Sequence, residues 1–240
     1  MSDPTNIPLR CWAEIELAAL ERNLKSIQAN LPERIKYIAV VKADAYGHGM
    51  QQTVARLMHA GVDMFAVANI VEAANIREIG TGWPIIVLGA TLENEESFLF
   101  EYDLIPTIST IEEVHRLNTK AEKHGKPLKA HLKIDTGMGR LGIWHEYADE
   151  LFEAFKQTEY LQLDGVYTHF AAADSDPDFT RYQRKIFLEA IKRVDWLPLD
   201  ELLIHADNSA GITTFAPESV FNAVRIGLLQ FGIRPYPSSI

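Results

Sequence analysis

Short apolar segments alternate along this chain with stretches of helical periodicity, and few folds accommodate that order. Each apolar segment is rich in Val, Ile or Leu, as expected of strands that are buried on both faces of a sheet. The predicted strands are Ile35–Lys42, Met64–Ala68, Ile85–Leu88, Leu104–Thr107, His131–Ile134, Leu163–His169, Glu201–His205 and Ala223–Ile226.

Segments of helix length lie between these strands. They include Met50–Ala60, Val71–Ile79, Ser109–His124 and Asp178–Val194. Strict alternation of strand and helix predicts an α/β protein with a parallel sheet, and eight strands predict closure into a (β/α)8 TIM-type barrel. The chain has 240 residues, which is the length that such a barrel needs. An open, doubly wound sheet shows the same alternation and is the alternative fold.

The composition excludes several classes of partner. A net charge of −10 argues against nucleic acid and anionic membranes, because both attract basic proteins. The single cysteine, Cys11, has no partner for an internal disulfide, which favours a reducing cytoplasm. No apolar run approaches the ~18 residues of a membrane span, and the N-terminus lacks a signal-peptide pattern. We therefore predict a soluble cytoplasmic protein. No metal site is predicted, because no ligand spacing links His48, His59, His115, His124 and His145.

The two ends of the chain do not fit the barrel. Arg10–Leu17 alternates polar and apolar residues like an antiparallel edge strand, yet it precedes the first helix. Gly232–Ile240 contains two prolines and has the character of a linker. These patterns predict three parts. Residues 1–17 carry a strand that pairs with a second, β-rich domain missing from the chain, residues 18–232 form the barrel, and residues 233–240 begin a linker to that domain.

The first predicted strand ends on Lys42, and the turn that follows contains Tyr46, His48 and two glycines. A buried lysine costs free energy unless its charge is paired or its chemistry is used. Desolvation lowers the pKa of an amine, and a neutral amine reacts with an aldehyde to form a Schiff base. The alternative for this position is a lysine that extends its ammonium group into solvent.

Further polar residues follow the other predicted strands, and active sites of (β/α)8 barrels lie at those C-terminal strand ends. The fifth strand leads into a glycine-rich loop between Lys133 and Arg140. The sixth strand ends at His169, and the eighth carries Arg225. Each of these residues alone has a structural explanation, such as a turn or a buried ion pair. Their joint occurrence at strand ends predicts a site.

The last two strands lead into the loops where barrels commonly bind phosphate. Asn208 and Ser209 offer an amide and a hydroxyl donor after the seventh strand. After the eighth, Gly227 allows close approach of the backbone, and the N–H of Leu228 faces an anion at a helix start. A phosphate site opposite a reactive amine suggests an aldehyde-bearing phosphate cofactor, pyridoxal 5′-phosphate (PLP).

Four segments of the chain carry a family resemblance. Ala39–Gly49 resembles the PLP-attachment motif of alanine racemases. Lys133–Gly142, His205–Ala210 and Arg225–Gly227 resemble the other signatures of that family and occur in the same order. The resemblance therefore covers essentially the whole chain, and its first motif is highly specific.

The resemblance implies a role for each site residue. Lys42 would form the internal aldimine with PLP and act as one of two catalytic bases. Arg140 would lie near the phenolic oxygen of the cofactor and the substrate carboxylate. Lys133 matches a lysine that several family members carry as a carbamate, which positions that arginine. His169 would lie near the cofactor ring and contact Arg225, which would face the pyridine nitrogen. The phosphate would be held by Tyr46, Asn208, Ser209, Gly227 and Leu228.

The implied function is interconversion of L-alanine and D-alanine, which supplies D-alanine for cell-wall peptidoglycan, by a homodimer. In the family a tyrosine of a C-terminal β domain is the second base, and that domain is expected to be missing here, so racemisation by this chain should be impaired. Gln230-Phe231-Gly232 stands where the family usually has Leu-Tyr-Gly. This change retains an aromatic ring and affects only a hydroxyl contact.

Two other functions stay open for the same residues. One is a complete single-domain PLP-binding barrel that buffers the cofactor and has no racemase activity. Such proteins lack the Ala43–Gly49 turn and the Asp135–Arg140 loop, and this chain has both. The other is a second enzyme class on the same fold, such as an amino-acid decarboxylase or a D-amino-acid lyase, whose motifs match less well.

Overall fold

Eight parallel strands close into a barrel in the computed structural model, which describes residues 10–214 and 221–235. The strands are β1 (Lys36–Val40), β2 (Met64–Val67), β3 (Ile85–Val87), β4 (Ile105–Ile108), β5 (Leu128–Asp135), β6 (Ile143–Trp144), β7 (Leu161–Tyr167), β8 (Leu203–His205) and β9 (Ala223–Ile226). The strand order is β4-β3-β2-β1-β9-β8-β7-β5, and pairing of β4 with β5 closes the ring. The two-residue strand β6 pairs with the end of β5. The predicted barrel is confirmed, and closure excludes an open sheet.

Helices surround the barrel wherever the helical periodicity predicted them. They are α1 (Leu17–Ala29), α2 (Met50–Ala60), α3 (Ile70–Ile79), α4 (Glu96–Glu101), α5 (Ile111–His124), α6 (Ala148–Lys156) and α7 (Pro177–Lys192). Short 3-10 helices span His145–Tyr147, Gly211–Thr214 and Leu228–Phe231. Local sequence sets the ends of α5. A capping box between Thr110 and Glu113 begins it, and Gly125 ends it in a left-handed conformation.

The barrel has one apolar layer outside the strands and a divided interior. Alternate residues of each strand face the helices, where they form the main core. The interior of β1 to β4 is lined by a separate apolar cluster that includes Ile38, Met64 and Ile86. The interior of β5 to β9 is polar instead and contains the buried side chains His131, Lys133, Tyr167, His205 and Arg225. This polar half is where a reaction site has to be sought.

The segment Arg10–Leu17 does not form the predicted strand within the part of the chain that the structure describes. Residues 11–16 have no regular structure, and Leu17 is already the first residue of α1. A strand needs a partner backbone, and the predicted partner lies outside the chain, so that pairing stays a prediction. The predicted N-terminal and linker parts fall largely on residues 1–9 and 236–240, which lie outside the described residues.

No helix between residues 10–214 or 221–235 combines the length and the apolar character that a membrane crossing requires.

Candidate active site

The C-terminal ends of the strands surround a cavity of about 190 Å³. Its polar lining consists of residues from the loops or ends of β1, β5 and β7, and its apolar lining includes Val40, Ala68, Leu88 and Leu141. The polar lining residues are Lys42, Tyr46, Lys133, Arg140, Tyr167 and His169. Five of these six were predicted from the sequence as site residues, and Tyr167 was not. The barrel therefore brings residues more than one hundred positions apart into one cavity.

Lys42 follows β1 by two residues and begins an unusual turn. The four residues after it, Ala43, Asp44, Ala45 and Tyr46, have φ values of 52, 53, 54 and 55°. They form one turn of left-handed helix from L-amino acids, which costs about 1–2 kcal/mol per residue. The predicted strand Ile35–Lys42 therefore ends early, because this turn redirects the chain at the barrel rim.

Two side chains, Asp44 and Glu72, stabilise the left-handed turn through three hydrogen bonds. The carboxylate of Asp44 accepts a hydrogen bond from the N–H of Met50 at 2.6 Å. Glu72 accepts two: the Ala43 N–H donates to Oε1 at 2.7 Å, and the Ala68 N–H donates to Oε2 at 2.8 Å. Glu72 thus connects the turn after Lys42 to the end of β2, a role that was not predicted from the sequence.

Burial and neighbouring cations make the two lysines of the cavity unusually easy to deprotonate. Burial lowers the pKa of Lys42, the charge of Arg140 lowers it further, and Glu72 opposes the shift. Burial and the charge of Arg225 lower the pKa of Lys133 to about 8. Lys133 is only 3% exposed. A neutral amine is the reactive form of lysine, so these lowered pKa values favour covalent chemistry at both side chains.

Arg140 is exposed, and the loop that carries it is fixed by hydrogen bonds to the Asp135 side chain. The Asp135 carboxylate accepts hydrogen bonds from the N–H groups of Gly137, Met138 and Gly139 at 2.8–3.2 Å. Gly137 has no room for a side chain, because a Cβ would lie 2.7 Å from the ring of Phe179. This arrangement presents the Arg140 side chain to the cavity from a rigid backbone.

The predicted phosphate residues lie together beside the cavity, but they do not all offer free donors. Ser209 Oγ accepts hydrogen bonds from the N–H of Gly227 at 3.0 Å and of Leu229 at 3.3 Å. The N–H of Leu228 makes no hydrogen bond to any residue that the structure describes. At Gly227 a Cβ would lie 2.5 Å from the Tyr46 hydroxyl, so only glycine fits there.

Asn208 has a structural contact as well as its predicted one. Its side-chain oxygen accepts hydrogen bonds from the N–H groups of Ala210 and Gly211, at 3.0 and 2.9 Å. These contacts begin the 3-10 helix Gly211–Thr214, which is the capping role common for asparagine after a strand. Its contribution to phosphate binding stays a prediction.

Arg225 lies at the base of the site and is 4% exposed. Its guanidinium donates to the carbonyl oxygens of Thr168 and Ala206 at 2.8 and 3.1 Å. It also contacts Nδ1 of His169 at 3.2 Å and Nδ1 of His205 at 2.6 Å. Burial lowers its pKa to about 10, so it remains a cation at neutral pH. The predicted contact between His169 and Arg225 is confirmed by this geometry.

Two buried histidines were not predicted as site residues: His131, in the middle of β5, and His205, the last residue of β8. His131 and His205 are both fully buried in the barrel interior, where His131 Nδ1 and His205 Nε2 are 3.0 Å apart. The ring of Tyr167 stacks on His205 with centroids 4.8 Å apart. A signal was present, since Gly165 interrupts β7 where a Cβ would lie 2.6 Å from the His131 ring.

A larger cavity of about 950 Å³ lies at the opposite, N-terminal end of the barrel. None of the predicted site residues lines it. Its cations are paired, with Lys36 Nζ 3.0 Å from Asp63 and Lys129 Nζ 2.9 Å from Asp164. Reactions in (β/α)8 barrels occur at the other end, so the smaller cavity is the candidate active site.

Comparison with known proteins identifies relatives of this chain in sequence and in fold. The chain is 40% identical over 230 residues to the alanine racemase of Treponema denticola, which covers 94% of this chain and 60% of that protein. The alanine racemase of Clostridium difficile 630 matches with a TM-score of 0.85 and 33% identity, over 94% of this chain and 59% of that one. A histidine racemase from Leuconostoc mesenteroides matches with a TM-score of 0.79 and 29% identity, over 91% and 58%.

The chain thus spans less than two thirds of the length of these relatives. The family model described as alanine racemase, N-terminal domain, matches residues 15–235. Barrel closure, the order of the four motifs and this match agree, and the chain belongs to the alanine racemase N-terminal domain family.

Proposed function

We propose that this chain forms the cofactor-binding barrel of a PLP-dependent enzyme that interconverts L-alanine and D-alanine. One observation carries the proposal: the half-buried Lys42 amine, whose pKa is lowered, lies at a cavity that Lys133 and Arg140 also line. Among the residues described, no carboxylate lines that cavity. Such surroundings suit a ligand that carries a phosphate and an amino-acid carboxylate.

The residues present fit PLP. The absence of a side chain at Gly227 lets the Tyr46 hydroxyl approach the backbone closely, since a Cβ there would lie 2.5 Å from the oxygen. Together with the Ser209 hydroxyl and the Leu228 N–H, this surface suits a phosphate. The Arg225 guanidinium, an obligate donor, suits the unprotonated pyridine nitrogen. Lys42 would hold the cofactor through its amine.

PLP, when bound, withdraws electrons from the α-carbon of an amino acid and so acidifies the α-proton. Each residue of this chain would then have a separate task. The neutral Lys42 amine would accept a proton on one face of the substrate. Arg140 would pair with the substrate carboxylate. Arg225 would remain charged and keep a proton off the ring nitrogen, with His169 packed beside it.

Racemisation also needs a proton donor on the opposite face of the α-carbon. The tyrosines of the cavity are poor candidates. Burial raises the pKa of Tyr46, and it raises that of Tyr167 to about 12. Tyr167 Oη is also hydrogen-bonded to Thr107 at 2.8 Å. We propose that the second base is a tyrosine of a C-terminal domain outside these 240 residues, since the relatives extend well beyond the matched region.

Lys133 is proposed to carry a carbamate. Its amine would add CO₂ to give a carbamate anion and release one proton, and the lowered pKa favours the neutral amine that this reaction requires. The new negative charge would lie among cationic side chains, with Arg140 as its partner. A buried lysine would thereby become compatible with its surroundings.

Exchange of the α-proton of alanine tests proton transfer on each face of the α-carbon separately. The 240-residue chain, loaded with PLP, is incubated in D₂O with L-alanine or D-alanine and followed by proton NMR. With Lys42 as the only base, we expect deuterium to enter one enantiomer with retention of configuration. PLP bound without exchange in either enantiomer would overturn the racemase proposal and favour a PLP-binding barrel. Full racemisation would overturn the proposed external base.

Two variants and one further substrate control this experiment. Lys42→Ala should abolish the exchange. Lys36→Ala should leave it unchanged, because Lys36 pairs with Asp63 at the opposite end of the barrel. Because a histidine racemase shares the fold, L-histidine and D-histidine serve as competing substrates. We propose alanine, and faster exchange of histidine would overturn that choice.

By analogy with the family, we also propose that the protein is a homodimer, that it supplies D-alanine for peptidoglycan and that it is located in the cytoplasm. Cys11, the single cysteine, is free and exposed, which is compatible with a reducing compartment.

A further inference from the structure

A continuous chain of hydrogen bonds crosses the polar half of the barrel, from the active site to the opposite end. Nη1 of Arg225 lies 2.6 Å from Nδ1 of His205, and Nε2 of His205 lies 3.0 Å from Nδ1 of His131. Nε2 of His131 lies 3.3 Å from Oδ2 of Asp164. The other oxygen of Asp164 pairs with Lys129 at 2.9 Å, beside the large N-terminal cavity.

Arg225 at one end of this series of hydrogen bonds and Asp164 at the other require the same placement of protons on the two histidine rings. Arg225 can only donate, so Nδ1 of His205 must accept. Both imidazoles are fully buried, which lowers their pKa and keeps them neutral, and a neutral imidazole has one donor and one acceptor. His205 therefore donates from Nε2, and His131 accepts at Nδ1 and donates from Nε2. The last acceptor is Asp164, which is ionised because the hydrogen bond from His131 lowers its pKa to about 2.

The surrounding residues leave the two rings little freedom. Tyr167 stacks on His205 with the ring planes 7° apart. His131 fits against β7 only because residue 165 is glycine, since a Cβ there would lie 2.8 Å from Nδ1 of His131 and 2.6 Å from the carbonyl oxygen of Leu203. A glycine that makes room for a ring in the middle of a strand indicates that the ring position itself matters.

We propose that Asp164 is a positioning residue for Arg225 and acts on it through His131 and His205 in this fixed tautomeric order. Arg225 has no carboxylate as a direct hydrogen-bond partner among the described residues. The ionised Asp164 supplies the negative end of the chain and holds the His131 proton on Nε2. If His131 took the other tautomer, His205 would present an N–H to the Arg225 guanidinium, and the two donors would repel each other.

The placement of the protons depends only on residues of the barrel, whereas an effect on PLP binding rests on the proposed function. Two measurements test the two statements separately. Long-range proton–nitrogen NMR spectra of the full, ¹⁵N-labelled chain without PLP identify which nitrogen of each ring carries the proton, with His131→Gln for assignment. Titration with PLP, followed by absorbance, then gives the dissociation constant.

We expect both rings of the unmodified chain to carry the proton on Nε2. In Asp164→Ala, the His131 signals should show a mixture of tautomers, and the dissociation constant for PLP should rise about 3- to 10-fold, as for loss of one buried hydrogen bond. Asp164→Asn keeps an acceptor oxygen and should restore the single tautomer, a rescue that a merely structural role would not produce. If Asp164→Ala fails to fold, the His131 N–H signal of Asp164→Asn must still shift.

Asp63→Ala is the matched control. Asp63 lies at the same end of the barrel as Asp164, pairs with Lys36 at 3.0 Å and accepts a hydrogen bond from the Tyr37 N–H at 2.8 Å. It makes no hydrogen bond to Arg225, His205, His131 or Asp164. It should change neither the tautomers nor the dissociation constant by more than about twofold. A proton on Nδ1 of either ring in the unmodified chain, or equal behaviour of Asp164→Ala and Asp63→Ala, would overturn the proposal. Absence of PLP binding would refute the proposed function alone, and the spectra would still decide the proton order.

Discussion

The pKa values of single residues in this site depend on their burial and on neighbouring charges more than on residue type. The chain has 23 lysines and arginines, yet only a few are buried in the barrel interior. Lys133 and Arg225 are both less than 5% exposed, and burial lowers the pKa of each, while the charge of Arg225 lowers that of Lys133 further. Such a pair is unfavourable for the folded protein alone and is understandable only if an anion shares the site.

The pKa of Lys133 predicts a dependence of stability on pH. In the folded chain Lys133 loses its proton near pH 8, and in the unfolded chain near 10.5. Between these values the unfolded state binds more protons, so raising the pH favours folding. In CO₂-free buffer, we expect the free energy of unfolding to rise by up to about 3 kcal/mol between pH 8 and 10.5. Urea denaturation at a series of pH values measures it.

Lys133→Met isolates this contribution. The variant keeps the length of the side chain and has no charge, so the difference in unfolding free energy between the two proteins should shrink as the pH rises. The same difference at pH 7 and at pH 10 would show that Lys133 is not desolvated as described. Addition of bicarbonate should reduce the difference at pH 8, because a carbamate removes the buried positive charge.

At the scale of elements, the turn Ala43–Tyr46 depends on a residue from another element, Glu72 at the start of α3. We expect Glu72→Ala to lower the free energy of unfolding by about 1–3 kcal/mol, because the N–H groups of Ala43 and Ala68 lose their acceptor. Hydrogen exchange of those two amides should accelerate. Glu112→Ala, on the first turn of α5, serves as the control and should change stability by less than about 0.5 kcal/mol.

Gly227, between β9 and the 3-10 helix that follows it, predicts a coupled pair. A Cβ in Gly227→Ala would lie 2.5 Å from the Tyr46 hydroxyl, so the ring has to move, at a cost of about 1–3 kcal/mol. Tyr46→Phe removes that oxygen, and the next atom, Cζ, is 3.0 Å away. Denaturation of both single variants and the double variant should therefore show that Gly227→Ala costs less when residue 46 is Phe. Additive costs would contradict the close approach.

Elements of ordinary geometry were predictable from the sequence, and those held by distant contacts were not. Helix α2 lies at Met50–Ala60 and strand β9 at Ala223–Ile226, as predicted, because apolar periodicity and neighbouring turns set them locally. The left-handed turn was missed, since Ala43 to Tyr46 favour the right-handed region and contacts of Asp44 and Glu72 with residues outside the turn stabilise the left-handed one. His131 was missed because it lies within β5, where its partners come from β7 and β8.

At the scale of the whole molecule, the barrel separates its apolar and polar interiors by strand. Strands β1 to β4 contribute mainly aliphatic residues, and β5 to β9 contribute two histidines, a lysine and an arginine beside the apolar Ala223. The aliphatic half forms a rigid wall of the closed sheet. The polar half contains buried cationic side chains that an anionic ligand would stabilise. Binding of an anionic ligand should therefore stabilise the entire fold.

Thermal unfolding tests this coupling between ligand and fold. PLP at 100 times its dissociation constant should stabilise the chain by about 2.7 kcal/mol. Pyridoxal at the same concentration should stabilise it less, because it lacks the phosphate that we propose contacts Ser209 and the Leu228 N–H. Lys42→Ala should still be stabilised by PLP through the phosphate. Equal shifts in melting temperature with PLP and pyridoxal would contradict a phosphate site in these loops.

The turn after Lys42 also has a handedness that connects it with the proposed product. Its four residues, Ala43 to Tyr46, have φ values of 52–55°, which is the mirror image of an ordinary helical turn. A D-amino acid adopts that conformation without strain, so D-alanine at position 43, introduced by chemical ligation, should relieve about 1–2 kcal/mol. It would not add the unfolded-chain entropy that glycine brings. A barrel proposed to make D-alanine thus contains backbone positions at which D-alanine would fit better than the residue it has.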